Sequence, residues 1–146
     1  MIEKRDTVIV CLACRFLAPF IMLCGLYIVA HGHYFPGGGF QGGVIIAVSF
    51  ILLILGEGSA RVKNLLPEHR QVVLISLGAL IFVGIGFLPM IFGGKLLDYG
   101  QIPLLSLAAP YVRYFMILFV EIAIAITVMG VLYAIFVHTI AEREYD

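Results

Sequence analysis

Two ionisable side chains, Arg15 and Glu121, stand inside otherwise apolar runs of this 146-residue chain. Charge within hydrocarbon is expensive, so a residue of this kind marks either a route for ions or protons or a paired structural contact. Counted at about 1.5 Å per residue from the start of the last apolar run, Glu121 falls near mid-membrane, where a lone carboxylate protonates or finds a partner. Arg15 lies roughly 10 Å from the start of the first run, close enough to snorkel to head groups. It is also long enough to reach toward Glu121 if the first and last helices are neighbours. Both residues are candidates for an ion pathway, with an Arg15 to Glu121 pair as the structural alternative.

Other spacings suggest chemistry and do not sustain it. His31 and His33 form H-x-H, but no acidic or cysteine cluster accompanies them, and two ligands do not make a metal site. Their expected place at a membrane interface suits a pH-sensing or contact role instead. Cys11, Cys14 and Cys24 all fall within the first apolar run, so their C-x-x-C spacing reads as helix packing and not as redox chemistry. Gly37, Gly39 and Gly42 match G-x-G-x-x-G, yet the dinucleotide fingerprint requires a preceding strand and a βαβ unit, which apolar runs on both sides exclude. Gly93-Gly94-Lys95 lacks the upstream glycine and the hydroxyl residue of a phosphate loop. No nucleophile, base or metal cluster converges, so no catalytic residue, metal or cofactor is expected.

The elements that position these residues follow from composition. Apolar residues make up 62% of the chain against 12% charged, with zero net charge, and mean hydropathy is +1.11. That balance identifies an integral membrane protein and leaves no electrostatic footprint for nucleic acid. The apolar runs predict four transmembrane helices in a small all-α bundle, at about 8–30, 38–56, 71–92 and 111–137, forming a single membrane domain over residues 1–146. Runs such as Val44-Ile45-Ile46-Ala47-Val48 do not alternate in polarity, which argues against a barrel. The first run is too long for a signal peptide and lacks a small-residue cleavage site, so it is expected to be retained. Lys4, Arg5, Arg61, Lys63, Arg70 and Arg143 fall on one side of such a bundle and Lys95 and Arg113 on the other. Both termini are therefore expected to face the cytoplasm, with the chain multi-pass in the cell membrane.

Between the first two runs lies His31-Gly32-His33-Tyr34-Phe35-Pro36-Gly37-Gly38-Gly39-Phe40-Gln41-Gly42-Gly43. Pro36 suits the first turn of a helix and is expected to launch the second span. Gly39, Gly43 and Ala47 recur every four residues and form one small-residue stripe, with Gly38 and Gly42 on a second. Such stripes permit tight helix crossings, within the chain or against another subunit. Gln41 is placed to hydrogen-bond a neighbouring chain or exposed backbone.

The segments Gly32-His33, Pro36-Gly37-Gly38-Gly39-Phe40 and Gly42-Gly43 resemble the signature of the MrpB/MnhB family, small subunits of multisubunit sodium/proton antiporters. The likeness extends to the chain length, the four-span plan, Gly84 and Gly86 in the third run, and the proline-bearing loop before the fourth. It departs at Tyr34-Phe35, where Asn-Ala commonly follows the histidine. The resemblance implies a small accessory subunit in the lipid bilayer, next to larger antiporter subunits and supporting Na+/H+ exchange. The setting is either a stand-alone antiporter or a redox-driven complex with a hydrogenase-like or sulfur-reductase arm. A purely structural scaffold without ion contact is the rival reading, and a homo-oligomeric transporter or channel a further one.

Overall fold

Hydrocarbon forces helices on such a chain, because each backbone N–H and C=O that crosses it has to be satisfied within the protein. The structure, a computed structural model, describes residues 4–34, 37–57, 66–102 and 109–143, and among the described residues every regular element is helical. The long helices are α1 (Lys4–Ala30), α2 (Gly38–Glu57), α3 (Glu68–Ile91) and α4 (Ala109–Arg143). Each holds a stretch long and apolar enough to span a membrane, respectively Val8–Ala30, Gly38–Gly56, Glu68–Ile91 and Ala109–Thr139. The chain is thus an all-α, multi-pass membrane protein.

Local chemistry sets the helix ends. α3 starts at Glu68, after an extended Pro67 (φ −63°, ψ 155°), and Glu68 places negative charge at the positive end of the helix. α4 starts at Ala109 with Pro110 in its first turn, where a missing N–H costs nothing. Gly37 has φ +87°, a left-handed conformation that favours glycine, and its carbonyl accepts the Gln41 N–H at 3.0 Å to begin α2. Pro36 lies outside the described residues, as do Arg61 and Lys63.

α2 packs between α1 and α4, and α3 packs on α4, so the packing order is α1, α2, α4, α3. The close approaches are made at glycines. Toward α1, a Cβ on Gly25 would stand 2.7 Å from Ile46 Cγ1, one on Gly42 2.8 Å from the Gly25 carbonyl, and one on Gly56 2.5 Å from Cys14 Cβ. Toward α4, a Cβ on Gly39 would stand 2.5 Å from the Glu121 carbonyl and one on Gly43 2.7 Å from that of Ala125. Gly78 approaches the Ala123 carbonyl in the same way, at 2.9 Å. These pairings make α1 antiparallel to α2, and α2 parallel to α4. The glycines of both stripes on α2 are therefore occupied by helices of the same chain.

Side chains fill the remaining space in two clusters. At the end carrying the termini, Ile54, Tyr133 and Val137 are buried together, with Phe50 edge-on to Tyr133 at 5.9 Å between ring centroids. At the other end, Tyr99 and Ile102 seat the loop after α3 against Val112 and Met116 of α4. Burial there raises the Tyr99 phenol above its usual range. Arg113 is exposed and lies 3.8 Å from Asp98, packed on Gly100, because the loop folds back over the start of α4.

A Gly43→Val substitution should push α2 off the α4 backbone and destabilise the chain by about 1–3 kcal/mol, whereas Gly84→Ala, with nothing within 4 Å of the added carbon, should be neutral or slightly stabilising. Thermal unfolding of the two variants in detergent, compared with the parent, checks this difference.

Candidate functional site

Glu121 belongs to the same site as the glycine hairpin. The first turn of α2 rests on the α4 backbone at this residue, since a Cβ on Gly39 would lie 2.5 Å from the Glu121 carbonyl oxygen and 2.9 Å from its Cα. The Glu121 side chain then reaches across to the other arm of the hairpin. A Cβ on Gly32 would overlap Glu121 Oε2, and one on Gly38 would stand 3.1 Å from the same atom. A Cβ on Gly38 would also overlap the Gly32 Cα, so the two arms close directly on each other. Three glycines from two segments make a cradle that only bare backbone can form.

Glu121 Oε2 is fully buried in this cradle and has no hydrogen-bond partner among the described residues. An unmet buried acceptor costs about 1–3 kcal/mol, and more when charged, so such an atom in a native structure calls for an explanation. The cradle also places the carboxyl beside the N-terminus of α2. There the N–H groups of Gly38, Gly39 and Phe40 precede the first helical hydrogen bond and carry partial positive charge.

Glu121 lies at different heights relative to the different helices: on α3 it stands near the middle of the Glu68–Ile91 span, since Gly78 approaches the Ala123 carbonyl two residues further along α4. On α2 it stands level with the first turn, and on α4 it lies 12 residues into the Ala109–Thr139 span.

The remaining sequence candidates disperse. Arg15 and Glu121 are not brought together. Cys14, next to Arg15, packs on Gly56 at the far end of α2, about 27 Å along that helix from Gly38. Arg15 is exposed there, on a helix that packs mainly on α2. His31 Nδ1 donates to the Tyr27 carbonyl at 3.0 Å and its ring lies 4.1 Å from that of Tyr27, so it is held by its own helix. The His33 side chain lies outside the described residues. Phe40 and Gln41 are exposed, with the Gln41 amide 3.9 Å from where a Cβ on Gly37 would stand. Cys14 is buried and Cys24 exposed, both as free thiols. Among the described residues no group of three or more His, Cys, Asp or Glu could hold a metal.

An apolar cleft of about 580 Å³ opens between α1 and α4, floored by Ile46 and Phe50 of α2 and walled by Val29 and Ile122. Its lining offers no hydrogen-bonding side chain, so it suits lipid or an apolar helix better than a hydrated ion. Sequence reasoning singled out both the hairpin and Glu121 but missed that they meet. The parallel pairing of α2 with α4 joins them, and no local spacing reports that pairing.

Comparison with known proteins agrees with these features. Residues 9–134 match the family described as a domain related to the MnhB subunit of the Na+/H+ antiporter. The antiporter subunit mnhB2 of Staphylococcus epidermidis is 30% identical over 129 residues, covering 88% of this chain and 91% of the relative. The corresponding Na(+)/H(+) antiporter subunit of Bacillus subtilis is 32% identical over 108 residues, covering 71% and 75% respectively. The mnhB2 subunit of Staphylococcus aureus is 32% identical over 117 residues, covering 80% and 82%. Four apolar helices and a match that runs across nearly all of them lead to one assignment: the chain belongs to the family of domains related to the MnhB subunit of the Na+/H+ antiporter.

Proposed function

We propose that this chain is an accessory membrane subunit of a multisubunit cation/proton antiporter module, and that Glu121 contributes an ion-exchanging carboxyl to it. The observation that carries the ion contact is the buried, unpartnered Glu121 Oε2 in its backbone cradle. A carboxyl kept for packing alone would be expected to find a donor, because leaving it unmet lowers stability without return. The accessory role rests on family membership and on size. Four helices packed in the order α1, α2, α4, α3 offer little volume for a route of their own, which favours larger neighbours as its source. Those neighbours are other antiporter subunits, with or without a hydrogenase-like or sulfur-reductase arm. The rival reading, a scaffold without ion contact, is favoured by the glycines of α2, which serve packing inside the chain.

The start of α1 and the end of α4 lie at the end of the bundle opposite the hairpin. The excess of Lys and Arg that the sequence assigns to that side supports termini in the cytoplasm, with the Glu121 cradle toward the outer face. Fusion of green fluorescent protein to the C-terminus should therefore fluoresce, and fusion of alkaline phosphatase at the same point should be inactive; the reverse pattern would invert the proposed topology.

Gentle extraction of the tagged chain should recover antiporter subunits, identified by mass spectrometry. Added iron-sulfur or nickel subunits would place it in a redox-driven complex, and recovery of the chain alone would count against the accessory role. In the assembled complex, Glu121→Gln keeps the shape of the side chain and removes its charge, and it should lower sodium/proton exchange by about tenfold or more. Unchanged exchange with normal assembly would leave the scaffold reading.

A further inference from the structure

We infer that the Glu121 carboxyl takes up a proton and not a sodium ion; the inference rests on the proposed ion-exchanging role of this residue and assigns the ion. Three observations carry it. The first is space. Glu121 Oε2 is fully buried against the backbone of Gly32 and Gly38, so closely that a Cβ on Gly32 would overlap it. A proton binds within the volume the oxygen already occupies. A hard metal cation needs a shell of several oxygens around it, and the described residues leave no room for one at Oε2 while Gly32 and Gly38 stay closed on each other.

The second is polarity. The carboxyl lies beside the N-terminus of α2, where the N–H groups of Gly38, Gly39 and Phe40 precede the first helical hydrogen bond, Gln41 N–H to Gly37 O at 3.0 Å. That end of a helix presents N–H donors and no carbonyl oxygen, so it offers a metal cation no ligand. Sodium sites in membrane carriers are instead built from unwound carbonyls and helix C-termini.

The third is the surrounding chemistry. Between Gly38 and Leu55, α2 carries no ionisable side chain, and α3 and its loop carry none between Arg70 and Lys95. On α4, Glu121 stands alone between Tyr114 and Tyr133. The hairpin that closes over it carries His31, held on the Tyr27 carbonyl, then His33 and Tyr34, and the neighbouring end of α1 adds Cys24 and Tyr27. The described residues thus bring no second carboxylate to share a metal ion with Glu121.

The test uses the whole complex in inside-out vesicles, with exchange measured across a range of pH and of sodium concentration. Gly32→Ala, which displaces the carboxyl from its cradle, and Glu121→Asp, which shortens it, should each move the pH of half-maximal exchange by about one unit and leave KM for sodium within about twofold. Either variant suffices if the other fails to assemble. A rise of about tenfold in KM for sodium with an unmoved pH profile would overturn the inference while leaving an ion-exchanging role for Glu121. Full activity of Glu121→Gln would remove that role as well. Infrared difference spectra give an independent readout: a protonated-carboxyl band lost in Glu121→Gln should respond to pH and ignore sodium, and a band displaced by sodium at constant pH would refute the assignment.

Discussion

The structure depends on backbone-to-backbone contact along α2. This helix touches α1 with one side and α4 with the other, and at Gly42, Gly39 and Gly43 the approach is too close for any Cβ. In lipid no hydrophobic force draws helices together, since the tails are as apolar as the side chains, so association depends on dispersion and fit. Bare backbone supplies both, and with them a fixed register. Gly39 meets Glu121 and Gly43 meets Ala125, and a slip along either helix would drive side chains into carbonyls. The position of Glu121 relative to the hairpin is a by-product of that register.

Arg15 and Glu121 show how far charge alone can be read from a sequence. Both stood out because both interrupt apolar runs, and four apolar runs sufficed to give the fold class. Whether the two residues meet depends on which helices are adjacent and at what height. Hydropathy is blind to both. α1 packs mainly on α2, Arg15 stands level with the far end of α2, and Glu121 stands level with its beginning. The partner that sequence reasoning supplied for Glu121 was a cation; the structure supplies three glycines, which have no side chain to advertise the contact.

The small-residue stripes are ambiguous in a related way. Their spacing marks a helix built for close neighbours, but the same spacing serves a partner subunit and a helix of the same chain equally well. Here the glycine positions are filled from within, by Gly25 and Val29 on one side and by the α4 backbone on the other. Phe40 and Gln41, between those stripes, are what the hairpin turns outward. The loop after α3 was equally opaque, because the fold of Asp98 and Gly100 over Arg113 depends on tertiary packing at Tyr99 and Ile102.

The length of α4 leaves the two halves of the molecule uneven. From Ala109 to Glu121 this helix runs about 18 Å past the hairpin, so the hairpin is the floor of a step beside it. A charge moving from that floor to either side crosses only part of a membrane voltage, which across the whole membrane is worth about 2.3 kcal/mol per elementary charge per 100 mV. The height of the step then divides the work of the membrane potential between the two halves of a transport cycle.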